Sequence, residues 1–181
     1  MEQLRYAKRI CEDKEKIEQF LIRSHTGIIG LNAGEYPYAV PVNYIWHKGK
    51  IYFHGIGSGK RESLLRKEPS VCFTVYEEYG IVKDKDPWHA DTSYFSVMIF
   101  GKARKVTFSE EAAEIMRDFV EKFMPGFYQN KTQSINANFM EKYRSALDGN
   151  LAAVYCIAPD WLSAKENGAT SDEMFKYGES L

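Results

Sequence analysis

The sequence predicts a mainly β protein, a six-stranded antiparallel barrel with helices at its periphery. Three observations predict it. Between residues 27 and 106, short runs rich in Val, Ile, Tyr and Phe alternate with Gly, Asn and Asp. The punctuation Asn32-Ala-Gly34 and His47-Lys-Gly49 is short enough for hairpin loops, where Gly supplies the positive φ of a tight turn. Helical periodicity is confined to the flanks of this region, which favours a barrel over a doubly wound sheet.

The elements follow in order. Across Glu12–His25, Ile17, Phe20 and Leu21 recur at i, i+3 and i+4 among charges, the pattern of an amphipathic helix. Strands are predicted over Ile28–Leu31, Tyr38–Trp46, Lys50–His54, Val71–Tyr76 and Ser93–Val106. Between the third and fourth, a glycine-rich turn from Gly55 runs into a short helix stopped by Pro69. Ser109-Glu-Glu opens a clearer helix with Ile115, Met116, Phe119, Val120 and Phe123 on one face, which should pack on the barrel, and Pro125 ends it. A polar, irregular stretch over 126–138 leads to a third helix, about Ile135–Leu147, broken by Asp148-Gly149. The last strand is Leu151–Ile157. One domain covers residues 1–181, with the barrel at about 27–106 and 151–158 and a helical insertion at about 109–148.

Composition narrows the function classes. Hydrophobic residues at 44% and charged residues at 27% describe a chain able to bury a core and cover it. The net charge of -1 argues against a general nucleic-acid binder or a polybasic membrane anchor. Cys11, Cys72 and Cys156 lack the number and spacing of a disulfide framework or a zinc knuckle, which fits a reducing cytoplasm. The N-terminus carries no apolar signal region and no stretch is long enough to span a membrane, so a cytoplasmic protein is expected.

Gly55-Ile-Gly-Ser-Gly-Lys60 is the most informative local feature. It is not a P-loop, because His54 stands where the first Gly belongs and Arg61 follows the Lys. It is not a dinucleotide fingerprint either, because Lys60 replaces the third Gly and the neighbouring strands read as antiparallel. What remains is a strand, a turn without bulky side chains and the cations Lys60 and Arg61, a combination that suits a terminal phosphate. A plain turn with two solvated cations accounts for the same residues.

Pro41-Val-Asn-Tyr44, Ile51-Tyr-Phe-His-Gly55, Ser58-Gly-Lys-Arg61 and Ser96-Val-Met-Ile-Phe-Gly101, in that order, resemble the FMN-binding split-barrel proteins related to pyridoxamine 5'-phosphate oxidase. Within that superfamily the chain looks most like the nitroimidazole-resistance (nitroimidazole reductase) branch, where a strand-end His precedes the glycine turn. The resemblance covers Pro37 to about Val106, with weaker support over Val154–Asn167. It implies FMN bound at a homodimer interface. Pro41, Val42, Asn43 and Tyr44 would run beside the flavin ring, with backbone of Val42 and Asn43 meeting its pyrimidine edge. Lys60 would pair with the FMN phosphate, helped by Ser58 and Arg61, and Ser96 would meet the ring or the ribityl chain. Trp161 and Lys165 match the Trp and Lys that reach the partner subunit's flavin in the family.

Two departures matter. The family's Ser-Arg-Lys phosphate triplet reads Ser58-Gly59-Lys60 here, and the oxidase's Arg-rich C-terminal signature is absent, which argues against vitamin B6 oxidation. His54, beside the flavin, is the candidate catalytic residue; the plainer account is a partly buried His satisfied by backbone. His25, His47 and His89 share no ligand spacing, so no metal is expected. The three cysteines read as small hydrophobes. Tyr76–Tyr79 and Asp84–His89 read either as a polar loop bordering the pocket mouth or as a solvated hairpin with exposed rings, and Phe127-Tyr128 as a candidate lid.

The expected function is an FMN-dependent oxidoreductase acting on a small, electron-poor and even nitroaromatic substrate, with a homodimer and no nucleic-acid or membrane partner. The alternative is a non-catalytic split barrel that binds or senses flavin or haem.

Overall fold

The computed structural model describes residues 6–126, 134–146 and 148–175. Among the described residues there are eight strands: β1 (Ile10–Cys11), β2 (Thr26–Leu31), β3 (Tyr38–His47), β4 (Lys50–Ile56), β5 (Ser70–Val82), β6 (Asp91–Lys105), β7 (Ala152–Asn167) and β8 (Met174–Phe175). The helices are α1 (Lys14–Arg23), α2 (Gly59–Leu65), α3 (Ser109–Phe123) and α4 (Ala137–Lys142). Six strands pair antiparallel in the ring β7-β4-β3-β2-β5-β6, and pairing of β6 with β7 closes it. The mainly β barrel with peripheral helices read from the sequence is therefore the fold. β1 extends the sheet beside β7, and β8 pairs with β5.

Alternation along the strands fills the interior. Tyr44, Phe53, Phe73, Ile99 and Ile157 point inward and are completely buried. Asp13 caps α1 by accepting from the Lys16 N–H at 3.0 Å, and Ile17, Phe20 and Leu21 close one end of the barrel. The Tyr44 hydroxyl donates to the Leu21 carbonyl at 2.9 Å, which satisfies a phenol otherwise stranded in the core. A second apolar cluster lies outside the barrel. There Ile45, Tyr52 and Val154 meet Ala112, Ile115 and Phe119 of α3 and Met140 of α4. Both faces of β3 and β4 are covered at this point, which explains their unbroken apolar runs.

Several boundaries differ from the sequence reading, each for a physical reason. β7 runs ten residues beyond the predicted end of Leu151–Ile157, to Asn167, and Pro159 does not stop it. The register shifts between Phe100 and Gly101 opposite Pro159, so the missing proline N–H falls at a bulge. A Cβ at Gly101 would overlap the Ala158 carbonyl, so this bulge needs glycine. β5 likewise continues to Val82 through a bulge at Glu78/Gly80, placing Tyr76–Tyr79 in a strand rather than a loop. Only Asp84–His89 remains a hairpin tip, with Trp88 86% exposed. His47 belongs to β3, leaving Lys48 (φ 48°) and Gly49 (φ 75°) as a two-residue turn of the left-handed kind. α4 is shorter than the expected 135–147 helix, since Tyr143 is already extended and Arg144 bridges Leu151. Phe127 and Tyr128 lie outside the described residues.

Candidate functional site

The barrel is split between β3 and β4. The two strands pair only over Tyr44–His47 and Lys50–Phe53; beyond that, β3 stays with β2 while His54–Ile56 of β4 pairs with Val154, Ala153 and Ala152 of β7. The edge of Tyr38–Asn43 that faces β4 therefore has no strand partner. The Tyr44 N–H turns toward β2, where it donates to the His25 carbonyl at 3.1 Å. Backbone polarity alternates along a strand, so Asn43 offers its N–H and carbonyl to the split while Val42 faces β2. The Val42 and Tyr44 side chains are buried in the core, whereas Pro41 and Asn43 are on the outer surface.

His54 sits beside this split on the same outer surface as Asn43. Its ring meets Phe119 of α3 edge-on, with centroids 4.8 Å apart. One side of the imidazole is packed and the other open. Desolvation on the packed side, followed by the charge of Arg61, lowers its pKa below the ordinary histidine value and keeps it neutral at pH 7. The open side moderates that shift.

The glycine turn places Arg61 next to His54 and Lys60 across the split. Arg61 lies across Gly55 so closely that a Cβ there would overlap the guanidinium. Lys60 stands over the Tyr38 ring at 5.1 Å, a cation–π contact that bridges the split. Ion pairs among the described residues involve Arg9, Lys16, Arg23, His47, Lys48, Arg66 and His89. Lys60 and Arg61 have no such carboxylate partner. Ser58 is engaged differently: its hydroxyl donates to Asp148 at 2.6 Å, which places an anion beside the turn.

The remaining candidates are elsewhere on the barrel. Ser96 pairs with Lys165 across β6 and β7, its hydroxyl donating to the Lys165 carbonyl at 3.5 Å. Trp161 stacks on Phe100 with centroids 4.7 Å apart. These residues belong to a long strand, not to a C-terminal tail. β3 and β6 are three steps apart in a ring of six, on opposite sides of the barrel. One chain thus presents two groups, Pro41–Tyr44 with His54 and Ser58–Arg61, and Ser96 with Trp161 and Lys165, without joining them.

Phe119, Tyr38 and Asp148 border the first group, and the sequence reading gave them only places in a helix face, a strand and a helix break, not in the site. Their relation to His54, Lys60 and Ser58 is tertiary; only the helical period that turns Phe119 toward the barrel gave a signal. No group of three or more His, Cys, Asp or Glu among the described residues is arranged to hold a metal ion. None of the described helices is long and apolar enough to cross a membrane.

A sequence profile of pyridoxamine 5'-phosphate oxidase matches residues 13–166. A comparison with curated proteins finds no match. Among solved structures, the flavocytochrome Anf3 of Azotobacter vinelandii superposes with a TM-score of 0.73 at 22% identity, covering 92% of this chain and 73% of its own. The FAD- and haem-binding protein of Mycobacterium smegmatis gives 0.70 at 16% identity, with coverages of 91% and 78%. A Bacteroides thetaiotaomicron protein assigned to 5-nitroimidazole antibiotic resistance gives 0.64 at 18% identity, with coverages of 86% and 85%. At such identities these likenesses are of fold. The profile, in contrast, spans most of the sequence and includes the split strands, the glycine turn and the long final strand, and on that match the chain belongs to the pyridoxamine 5'-phosphate oxidase family.

Proposed function

We propose that this protein binds FMN on the outer surface of the barrel, at a site completed by a second copy of the chain, and serves as an oxidoreductase for a small electron-poor substrate. The observation that carries this reading is the pair Lys60 and Arg61, two cations without carboxylate partners among the described residues, set on a glycine turn beside the unpaired edge of β3. Such a pair suits a phosphate monoester, and the free N–H and carbonyl of Asn43 suit the donor and acceptor pattern of a flavin pyrimidine edge. FMN, when bound, supplies the electron transfer.

The chain's own residues take defined parts. Lys60 and Arg61 hold the phosphate end. Asp148 opposes them electrostatically and keeps the Ser58 hydroxyl to itself. Neutral His54 donates a hydrogen bond from one ring nitrogen and orients an acceptor group, such as a nitro oxygen; its lowered pKa makes it a poor source of a full proton.

A second copy follows from the opposed placement of the two residue groups. The outward row Pro41, Ile28, Thr74, Met98 and Ser163 runs side by side across β3, β2, β5, β6 and β7. Ile28 is 48% and Met98 39% exposed there. A two-fold pairing of this apolar face shields it and brings Trp161 and Lys165 of one copy toward Lys60 and Arg61 of the other.

Two of the structural neighbours are a flavocytochrome and a FAD- and haem-binding protein, which supports a second reading in which the protein holds FAD or haem. The absorption spectrum of the purified protein, followed by mass analysis of the chromophore released on denaturation, separates these. FMN supports the proposal, FAD or a haem Soret band supports the second reading, and a colourless protein that ignores added flavin overturns both.

A further inference from the structure

A cavity of about 580 Å³ lies away from the split, over the outer surface of β4, β7 and β6. Its floor is the middle strand, where Cys156 and Ala158 are small. Arg104 pairs with Cys156 and Lys102 with Ala158 across β6 and β7, while Lys50 enters from β4 on the other side. Long cations on the two flanking strands therefore stand about 10 Å apart, two strand spacings, over a shallow floor. Lys105 adds a fourth positive charge to the lining.

None of these four cations is in an ion pair among the described residues. The lining holds two carboxylates. Glu111 accepts from the Tyr52 hydroxyl at 2.9 Å, and Asp160 lies at the edge of the bulge in β7. The net charge of the lining is positive on a protein whose overall charge is -1, so the field is local and attracts a small anion rather than a long polyanion. Phe108, 71% exposed, stands on the rim beside Val106 and offers a flat apolar surface. The volume falls in the range of small-molecule sites.

We infer that this cavity is a second binding site, for a small phosphate monoester that carries a flat ring, with Lys50, Lys102 and Arg104 on the phosphate and Phe108 against the ring. It is independent of the flavin reading. Lys50 precedes His54 by four residues on β4, about 13 Å of strand, and α3 packs between them over Tyr52.

Adenosine 5'-monophosphate is the probe, titrated calorimetrically into the purified full chain, with inorganic phosphate and adenosine as controls. The expected result is saturable binding of the nucleotide, weakened about tenfold or more in a Lys102→Ser, Arg104→Ser variant and unchanged in Lys60→Ala, Arg61→Ala. Phe108→Ser should weaken binding of the nucleotide but not of inorganic phosphate. Lys60, Lys102, Arg104 and Phe108 are exposed and Arg61 is half-buried, and an unchanged thermal midpoint verifies folding. No binding, binding insensitive to Lys102 and Arg104, or binding lost with Lys60 and Arg61 would overturn the assignment.

Discussion

The guanidinium of Arg61 rests on the backbone of Gly55, in space that any side chain at position 55 would occupy. This contact sets the charge beside His54 and links the glycine turn to the strand that carries the imidazole. Gly55→Ala should expel Arg61 and raise the His54 pKa toward its ordinary value, since the opposing positive charge departs. NMR titration of the imidazole nitrogens measures this, and an unchanged pKa would contradict it. The folded-state pKa of His54 is depressed, so the unfolded chain binds the proton more readily. Its contribution to stability therefore falls as pH drops through the unfolded value near 6.5, and Gly55→Ala should flatten that part of the profile.

Asp148 holds the Ser58 hydroxyl and places negative charge at the turn assigned to phosphate. Asp148→Asn should tighten FMN binding, by about threefold to tenfold at low salt, and reduce its salt dependence little, because Lys60 and Arg61 remain. Fluorescence titration with FMN gives the number. Weaker binding in Asp148→Asn would mean that the carboxylate supports the turn more than it opposes the ligand.

Lys122 donates from its ammonium to the carbonyls of Ser24 at 2.6 Å and Tyr44 at 3.2 Å, beneath α3. Burial pushes its pKa down to about 8. Asp118 and Glu121 line the same cleft without pairing with it among the described ion pairs. The unfolded lysine titrates near 10.5, so between about pH 8 and 10.5 the unfolded state binds more protons and the Lys122 contribution becomes more favourable as pH rises. The difference in unfolding free energy between the natural protein and Lys122→Met, followed by denaturant titration, should shift in favour of the natural protein across that window. A flat difference would refute the depressed pKa.

Leu21 is completely buried where α1 closes the barrel, and its carbonyl accepts from Tyr44. Leu21→Ala should destabilise by about 2–5 kcal/mol through lost burial and a cavity, and Tyr44→Phe by about 1 kcal/mol through the lost hydrogen bond. Urea midpoints test both.

The helices and strands were legible wherever a periodic pattern met a clear stop. Ile17, Phe20 and Leu21 marked α1, and Ile115 and Phe119 marked the buried side of α3, because amphipathic burial leaves its period in the sequence. The continuation of β7 past Ile157 was not legible, since a bulge that tolerates Pro159 depends on the partner strand, where Gly101 sits far away in sequence. The glycine turn and its two cations were visible as a motif. That Arg61 lies on Gly55, that Lys60 covers Tyr38 and that Asp148 takes Ser58 were not, because each joins residues that only the folded chain brings together.

The apolar row on the outer surface predicts a dimer whose loss removes the flavin site. Met98→Asp places a charge on the face that the second copy covers, and light scattering should then report a monomer with little bound FMN. A dimeric Met98→Asp variant would exclude this face as the interface.

The shared site is tested most directly by mixing two inactive variants. Lys60→Ala, Arg61→Ala breaks one residue group and Trp161→Ala, Lys165→Ala breaks the other, so neither homodimer should retain FMN. Unfolded together and refolded, the two should form mixed dimers with one intact site, restoring about a quarter of the natural flavin content for random pairing. Recovery of flavin on mixing is the predicted result; two variants that stay empty together, or a Trp161→Ala, Lys165→Ala homodimer that keeps full FMN, would contradict a site built from two copies.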